Sequence, residues 1–358
     1  MSTTQEQIES IQKEIRETPY HKGTEHHIGR LRARIAQLKD KQLDEGSKKG
    51  GGGGGGYAIK KQGDATVVLV GPPSSGKSTL INKLTNAHSK VAPYSFTTVT
   101  VIPGMMNYNN ARIQILDVPG LIQGARLGKG RGKEVLSVIR GSDLMVMITD
   151  INRIGLIKQI QEELEETGIR INKTAPKVKI EKKISGGIEI RSNFAQEFNK
   201  ETVKEIARQY RITNAEITIG QKLSLDQLID LFSRNRVYIP SIVVVNKIDK
   251  KPKKKLPTGF LAISADQGIN METLKESIWE NLKLITIYLV KENEQPHNDN
   301  PMVVPIHASL NDILSQLGSD FAESINFAKI WGTGAKHKGQ QVSLSLKAQN
   351  GMQIRFVK

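Results

Sequence analysis

Runs of apolar, β-branched residues alternate with helical spacings through the middle of this chain, and that alternation predicts an α/β domain. Val67–Val70 has the make-up of a buried parallel strand, and Leu80, Ile81 and Leu84 then take helical spacing. Arg112–Leu116, Leu144–Ile148, Ile242–Val245 and Phe260–Ile263 read as further strands, with a helix near Ile154–Glu166. Ahead of them, Ile8, Ile11 and Ile15 mark one face of a helix over Gln5–Glu17, which Thr18-Pro19 stops. Ile28, Leu31, Ile35 and Leu38 mark a second helix, with Arg30, Arg32, Arg34 and Lys39 on its other face. Two helices joined by so short a turn pack as a hairpin. Its basic face is either a solvated surface or one that meets RNA, and His26-His27 reads as a surface pair because adjacent helical side chains diverge.

Other stretches break the pattern. Gly50–Gly56 is seven consecutive glycines and reads as a flexible joint. Asp117 and Asp249 are 132 positions apart, about twice what one strand–helix–strand passage needs, so a small α/β domain is inserted around Gly168–Tyr238. Its first half, Asn172–Arg191, is Lys-rich with alternating Val178, Ile180, Ile184, Ile188 and Ile190. Its second half carries helical spacing over Thr202–Tyr210 and Leu225–Phe232. The basic strands predict either a nucleic-acid surface or a solvated sheet face. After Trp279 come strands at Ile285–Val290, Met302–Pro305, Val342–Leu346 and Met352–Val357, with helical spacing at Asn311–Leu317 and Phe321–Ala328. That is the pattern of a β-grasp module, which Lys336, His337, Lys338, Lys347, Arg355 and Lys358 make basic. The expected organisation is a helical hairpin over 1–46, a glycine-rich linker over 47–63, an α/β domain over 64–167 and 239–288, an inserted α/β domain over 168–238 and the β-grasp over 289–358.

Composition narrows the class. A chain of 358 residues has room for two or three domains. It holds no cysteine, which excludes disulfides, thiolate metal sites and cysteine nucleophiles. No run approaches a membrane span, and MSTTQEQIES lacks a signal pattern, so a soluble cytoplasmic protein without a membrane partner is expected. Fifty-two Lys and Arg against 36 Asp and Glu give a net charge of +16, which favours polyanionic partners.

The chemistry gathers at strand ends. Gly71-Pro72-Pro73-Ser74-Ser75-Gly76-Lys77-Ser78 matches GxxxxGK[ST] between the first strand and its helix. Such a loop turns its N–H groups on an anion, and the helix that Thr79 continues offers its positive end. Lys77 would reach the outer phosphates, and Ser78 would take a place on Mg²⁺. In Tyr94–Thr100 a threonine, Thr98 over Thr97, would meet Mg²⁺ while the γ-phosphate is present. Asp117-Val118-Pro119-Gly120 stands 46 positions after Gly71: Asp117 would hold Mg²⁺ and Gly120 would bring its N–H to the γ-phosphate. Where many GTPases place a water-orienting Gln, this chain has Leu121, which cannot hydrogen-bond water. The segment Gly124–Lys133, with four glycines and four basic residues, reads equally as a mobile switch loop and as a contact for RNA or a protein. Asn246-Lys247-Ile248-Asp249 carries base choice. A carboxylate at Asp249 accepts from guanine N1–H and the 2-amino group but would face an acceptor on adenine. Asn246 would brace the loops, Lys247 would cover the base, and a backbone N–H at Ser264-Ala265 would meet guanine O6.

With those motifs in place, the chain resembles the developmentally regulated GTP-binding proteins, a branch of the Obg-related GTPases. The resemblance runs through HHIGRLRARIAQL, the glycine joint, GPPSSGKST, YSFTTVTVIPG, DVPGLIQGARLGKGRGKEV, GIRINKTAPKVKI, ITNAEITI, SIVVVNKID and IWGTGAKHKGQQVSLSLK. It implies a GTPase core with an inserted domain and a C-terminal TGS domain, slow hydrolysis of GTP to GDP, association with ribosomes or RNA in translation, and a small stabilising protein partner. No DNA partner is expected. A hydrophobic residue at the Leu121 position agrees with that family. Some Obg-related GTPases use potassium in place of a missing catalytic group, often with Asn in the phosphate loop; Ser74 stands there in this chain. Rival readings are an RNA-binding scaffold with GTP as a structural ligand, and a ribosome-assembly GTPase.

Overall fold

The computed structural model describes residues 3–45, 62–85, 92–93, 100–118, 132–233, 235–250 and 255–358. Thr98, Gly120, Leu121 and most of Gly124–Lys133 lie outside the described residues, as does the glycine run. The chain opens with helices α1 (Thr4–Glu17) and α2 (Glu25–Glu45), then strand β1 (Ala65–Val70) and helix α3 (Lys77–Thr85). Next come β2 (Ala92–Pro93), the hairpin of β3 (Thr100–Tyr108) and β4 (Ala111–Asp117), α4 (Gly132–Arg140), β5 (Leu144–Asp150) and α5 (Leu156–Glu166). The inserted region supplies β6 (Ile169–Ile171), β7 (Val178–Lys182), β8 (Ile188–Ser192), α6 (Lys200–Gln209), β9 (Ala215–Ile219), α7 (Leu225–Phe232) and β10 (Val237–Ile239). Beyond it run β11 (Ser241–Asn246), β12 (Phe260–Ala262), α8 (Met271–Leu282), β13 (Leu284–Leu289) and β14 (Pro301–Pro305). Helices α9 (Leu310–Leu317) and α10 (Ser319–Glu323) precede β15 (Phe327–Gly332), β16 (Gln340–Val342) and β17 (Met352–Val357). The described residues form two units. One holds those within 3–45, 132–133 and Gln161–Ile239; the other holds those within 62–118, Glu134–Ile160 and Pro240–Lys358.

In the second unit a seven-stranded sheet runs β12-β11-β5-β1-β4-β3-β2. β1 is parallel to β4 and β5, and β11 is parallel to β5 and β12, while β3 turns back antiparallel to β4. Every residue of β1 and β5 is buried, as their continuous apolar runs require of parallel strands covered on both faces. Leu80, Ile81 and Leu84 of α3 pack on Val67, Leu69, Ile113, Ile115 and Val146. The register sets Leu69 beside Asp117 and Asn246 beside Asp150, so those side chains reach the same sheet edge as Gly71. β1 lies between β4 and β5, where the strand order reverses, and an open α/β sheet binds ligands at such a point.

The same unit carries a five-stranded sheet, β14-β13-β17-β15-β16. Leu310 and Ile313 of α9 pack with Ile287, Val304, Ala328, Ile330, Met352 and Ile354 on one side of it. Several sequence expectations change here; the strand expected over Val342–Leu346 is instead β16, which ends at Val342. The boundary at 288/289 cuts through β13, because Lys283, in left-handed conformation, ends α8 and the chain passes directly into that strand. The helical spacing of Phe321–Ala328 is also misleading: α10 stops at Glu323, and Ala328 and Ile330 alternate into the core of a strand. Residues 289–358 hold seven Lys and Arg against six Asp and Glu, so the module is close to neutral.

The first unit joins the N-terminal hairpin to the insertion. A stripe of small residues on α2 (Gly29, Ala33, Ala36) lies against Thr202, Ile206, Ala207 and Leu228, and a Cβ on Gly29 would come 3.2 Å from the Thr202 methyl. Polar contacts lock the pair. Glu25 accepts from the Thr202 hydroxyl at 2.8 Å, and Asp230 accepts from Arg170 and Arg236 while Arg236 also reaches Asp40 at 2.9 Å. The hairpin is therefore part of the insertion's core. Strands β7-β9-β8 form a sheet in which Lys179 pairs with Glu181, Lys183 with Glu216 and Glu189, and Arg191 with Glu216 and Glu189. The basic strands thus carry their own carboxylates, which favours a solvated sheet face over a nucleic-acid surface.

Candidate functional site

The loop from Gly71 to Ser78 joins β1 to α3, and its backbone is shaped by close approach. A Cβ on Gly71 would lie 1.9 Å from the Ile148 carbonyl, and Gly76 has φ +94° with Asn246 in the space a side chain would need. Ser74 is left-handed at φ +59°. Lys77 is buried, and its ammonium donates to the Gly71 and Pro72 carbonyls, each at 3.1 Å. Burial pushes the Lys77 ammonium below its ordinary value, Asp117 opposes the change and Arg153 adds to it. Ser78 and Thr79 are exposed in the first turn of α3.

Ser78 and Asp117 are brought together, the hydroxyl donating to Asp117 Oδ2 at 3.0 Å. The other oxygen, Asp117 Oδ1, is buried without a hydrogen-bond partner among the described residues. Burial holds the Asp117 carboxyl above its ordinary range, outweighing the Lys77 charge and the Ser78 hydrogen bond. A hydroxyl beside an orphaned carboxylate oxygen is a hard-oxygen donor set that fits Mg²⁺, which takes few protein ligands and completes its shell with phosphate and water.

The other end is built by the loops after β11 and β12. Asn246 Nδ2 donates to the Ser75 carbonyl at 2.9 Å, and its Oδ1 accepts from the Lys247 N–H at 2.8 Å and the Ala265 N–H at 3.0 Å. Lys247 Nζ donates to the Ser74 carbonyl at 2.6 Å. Asp249 Oδ1 is buried without a donor among the described residues. The proposed guanine O6 contact meets a difference: the Ala265 N–H is bonded to Asn246, and the Ser264 N–H to the Ile269 carbonyl at 3.2 Å. Both donors are satisfied within the protein, so a bound base would have to share or displace them.

Two further residues belong to the site. Asp150, at the end of β5, accepts from Arg153 Nε at 2.7 Å and from the Asn152 N–H at 2.9 Å, and Arg153 Nη2 donates to the Pro73 carbonyl at 2.9 Å. Burial raises the Asp150 carboxyl, but the Arg153 and Asn152 hydrogen bonds and the nearby cations bring it below its ordinary value. The signal in the sequence was an acid at a strand end beside the phosphate loop, followed three residues later by arginine.

This geometry agrees with what the chain is similar to. Residues 66–183 match the family described as 50S ribosome-binding GTPase, and residues 185–284 match the C-terminal region of that domain. A GTP-binding protein of Methanocaldococcus jannaschii is 45% identical, covering 97% of this chain and 91% of its own. Developmentally-regulated GTP-binding protein 1 of Xenopus laevis is 39% identical over 100% of both chains. Developmentally-regulated GTP-binding protein 2 of Homo sapiens is 36% identical over 99% of both. The α/β sheet, the phosphate loop at its switch point and these full-length relatives together place the chain among the GTP-binding proteins of the developmentally regulated family.

Proposed function

We infer that the protein hydrolyses GTP to GDP and phosphate and works as a ribosome- or RNA-associated switch in translation. The observation that carries this reading is the pair of buried, unpartnered carboxylate oxygens at the strand ends around the loop from Gly71 to Ser78. Asp117 Oδ1 lies beside Ser78, and Asp249 Oδ1 lies in the loop that Asn246 ties to Ser75. A buried acceptor left without a donor is costly, and a metal at one and the guanine edge at the other would satisfy both.

In this reading Gly71, Ser74, Ser75, Gly76, Lys77, Ser78, Thr79 and Gly120 contact the phosphates. Lys77 stabilises charge that develops between the terminal phosphates as water attacks in line. Ser78, Thr98 and Asp117 would hold Mg²⁺, which supplies charge neutralisation across those phosphates. Asn246, Lys247 and Asp249 select guanine, with the Ser264-Ala265 turn beside the base. Leu121 leaves the attacking water without a side-chain partner at that position, so intrinsic turnover is slow and a partner supplies or orders what is missing. Potassium is a candidate for that gap, and equal rates in potassium and sodium at matched ionic strength would remove it.

The family described as 50S ribosome-binding supports a ribosomal partner, and the net charge of +16 supports polyanion binding. The excess is densest beside the nucleotide motifs, with six lysines and one acid in 247–255. The C-terminal sheet and helix are proposed as a TGS domain. No helix among the described residues is long and apolar enough to cross a membrane, and a cytoplasmic site of action fits the translational role. The test is steady-state GTP hydrolysis with and without ribosomes at fixed potassium and magnesium. A large rise is expected. Tight GTP binding with no rise would favour an RNA-binding scaffold.

A further inference from the structure

The carbonyls of five consecutive phosphate-loop residues are each held by a side-chain donor. Lys77 takes those of Gly71 and Pro72, Lys247 that of Ser74 and Asn246 that of Ser75. These three side chains belong to the motifs already assigned to phosphate or base. The Pro73 carbonyl is held by a residue from outside them: Arg153, on the turn after β5, donates to it through Nη2 at 2.9 Å.

That carbonyl has a particular partner. In a trans peptide the C=O and the next N–H point in opposite directions. With the Pro73 carbonyl turned to Arg153, the Ser74 N–H is turned to the opposite side of that peptide. Pro72 and Pro73 bring no N–H of their own, so within the motif after Gly71 the Ser74 amide is the first that can meet an anion. Ser74 is also left-handed at φ +59°, a conformation a serine holds only where its surroundings impose it. Arg153 is well placed to impose it. The buried Asp150 carboxylate grips the Arg153 guanidinium through Nε at 2.7 Å and Nη2 at 2.6 Å, and the Thr149 hydroxyl donates to the Arg153 backbone carbonyl at 3.0 Å.

We propose that Arg153, oriented by Asp150, is a positioning residue for the nucleotide phosphates: it fixes the Pro73–Ser74 peptide so that the Ser74 N–H faces them. The role rests on reading these loops as a GTP site and adds to it a residue that no phosphate or base motif contains.

The test compares R153M, R153K and D150N with the unaltered protein, using fluorescent GDP and GTP analogues in the presence of Mg²⁺. Removing a charge-assisted hydrogen bond of this kind should weaken both nucleotides about 10- to 100-fold in R153M. R153K, which keeps a charged donor, should recover most of the loss, and D150N should show a smaller loss of the same sign. Two readouts separate positioning from a general structural role. The ³¹P resonances of GDP bound to R153M should move, while its preference for guanine over xanthine nucleotides stays as in the unaltered protein. Binding of both nucleotides within twofold in R153M, with ³¹P resonances unchanged, would overturn the proposal. So would parallel loss of base preference. Failure of the unaltered protein to bind GTP would overturn the GTP-site reading and this one with it; normal binding by both proteins would overturn only this one.

Discussion

The side-chain amide of Asn246 donates to the backbone carbonyl of Ser75 at 2.9 Å, across 171 positions of sequence. The same side chain accepts from the Lys247 and Ala265 N–H groups. One asparagine thus joins the phosphate loop to both loops at the base end. The loop after β1 and the loops after β11 and β12 are thereby held as one frame.

Gly76 lies inside that frame. Its φ of +94° is one that side chains rarely adopt, and a Cβ there would come 2.2 Å from Asn246 Nδ2. Backbone strain of about 1–3 kcal/mol, together with loss of a buried hydrogen bond, predicts that Gly76→Ala weakens GDP and GTP roughly 10- to 1000-fold. Titration with a fluorescent GDP analogue measures this, and far-UV circular dichroism should show the fold intact. Affinity within twofold of the unaltered protein would mean the loop and Asn246 are not coupled.

How much of this could be read from sequence depended on how local each feature is. The run Val67–Val70 and the spacing of Leu80, Ile81 and Leu84 announce a strand, a loop and a helix because all three depend on neighbours in the chain, and β1 and α3 stand there. The stripe of Gly29, Ala33 and Ala36 escaped notice because small residues carry little hydrophobic signal, yet they let α2 approach α6 closely. β9, the central strand of the inserted sheet, is only five residues long and lies between two stronger helical patterns. At the site, the bracing role of Asn246 is legible from its motif, whereas its partner carbonyl on Ser75 and the Arg153–Pro73 contact depend on which loops the sheet order brings together, and no spacing in the chain encodes that.

Asp117 sets stability against function. Burial holds its carboxyl above the ordinary range in the nucleotide-free protein, more than Lys77 and Ser78 lower it. A raised carboxyl contributes stability that is fully present below the unfolded-state value and is lost as pH rises through the folded value. At neutral pH the ionised side chain is therefore a cost to the free protein. Asp117→Asn should raise the melting midpoint of the nucleotide-free protein by a few degrees at pH 7, and the gain should shrink toward acid pH. The same variant should lose the Mg²⁺ dependence of GTP binding. A midpoint that falls at pH 7 would contradict the burial argument.

The other unit holds its own buried charges. Asp230 is 7% exposed and accepts from Arg170 at 2.5 Å and 2.6 Å and from Arg236 at 2.7 Å, while Arg236 also donates to Asp40. Removing the shared carboxylate leaves two guanidinium groups without their main partner inside the fold. Breaking a buried pair in this way typically costs about 3–5 kcal/mol. Asp230→Ala should therefore lower the urea midpoint of this unit, followed by circular dichroism, while GDP affinity changes little because no nucleotide motif lies in it. A loss below about 1 kcal/mol would place the pairing in the weak class of exposed salt bridges.

Base choice gives the sharpest test, since it can reverse and not merely weaken. Asp249 Oδ1 is buried without a donor, although its surroundings satisfy the neighbouring Asn246 side chain at both ends. Guanine offers N–H groups at positions 1 and 2; xanthine keeps the first and replaces the second with a carbonyl. Asp249→Asn replaces one acceptor oxygen with an amide donor, which clashes with the guanine 2-amino group and suits the xanthine 2-carbonyl. With about 1.5–3 kcal/mol for each hydrogen bond to a charged group, GTP affinity should fall roughly 100-fold or more. Xanthosine triphosphate should bind more tightly than GTP to the variant, reversing the order of the unaltered protein. Isothermal titration with both nucleotides decides the matter. Unchanged GTP affinity would remove Asp249 from the base site, and loss of both nucleotides together would show that the carboxylate supports the loop and does not read the base.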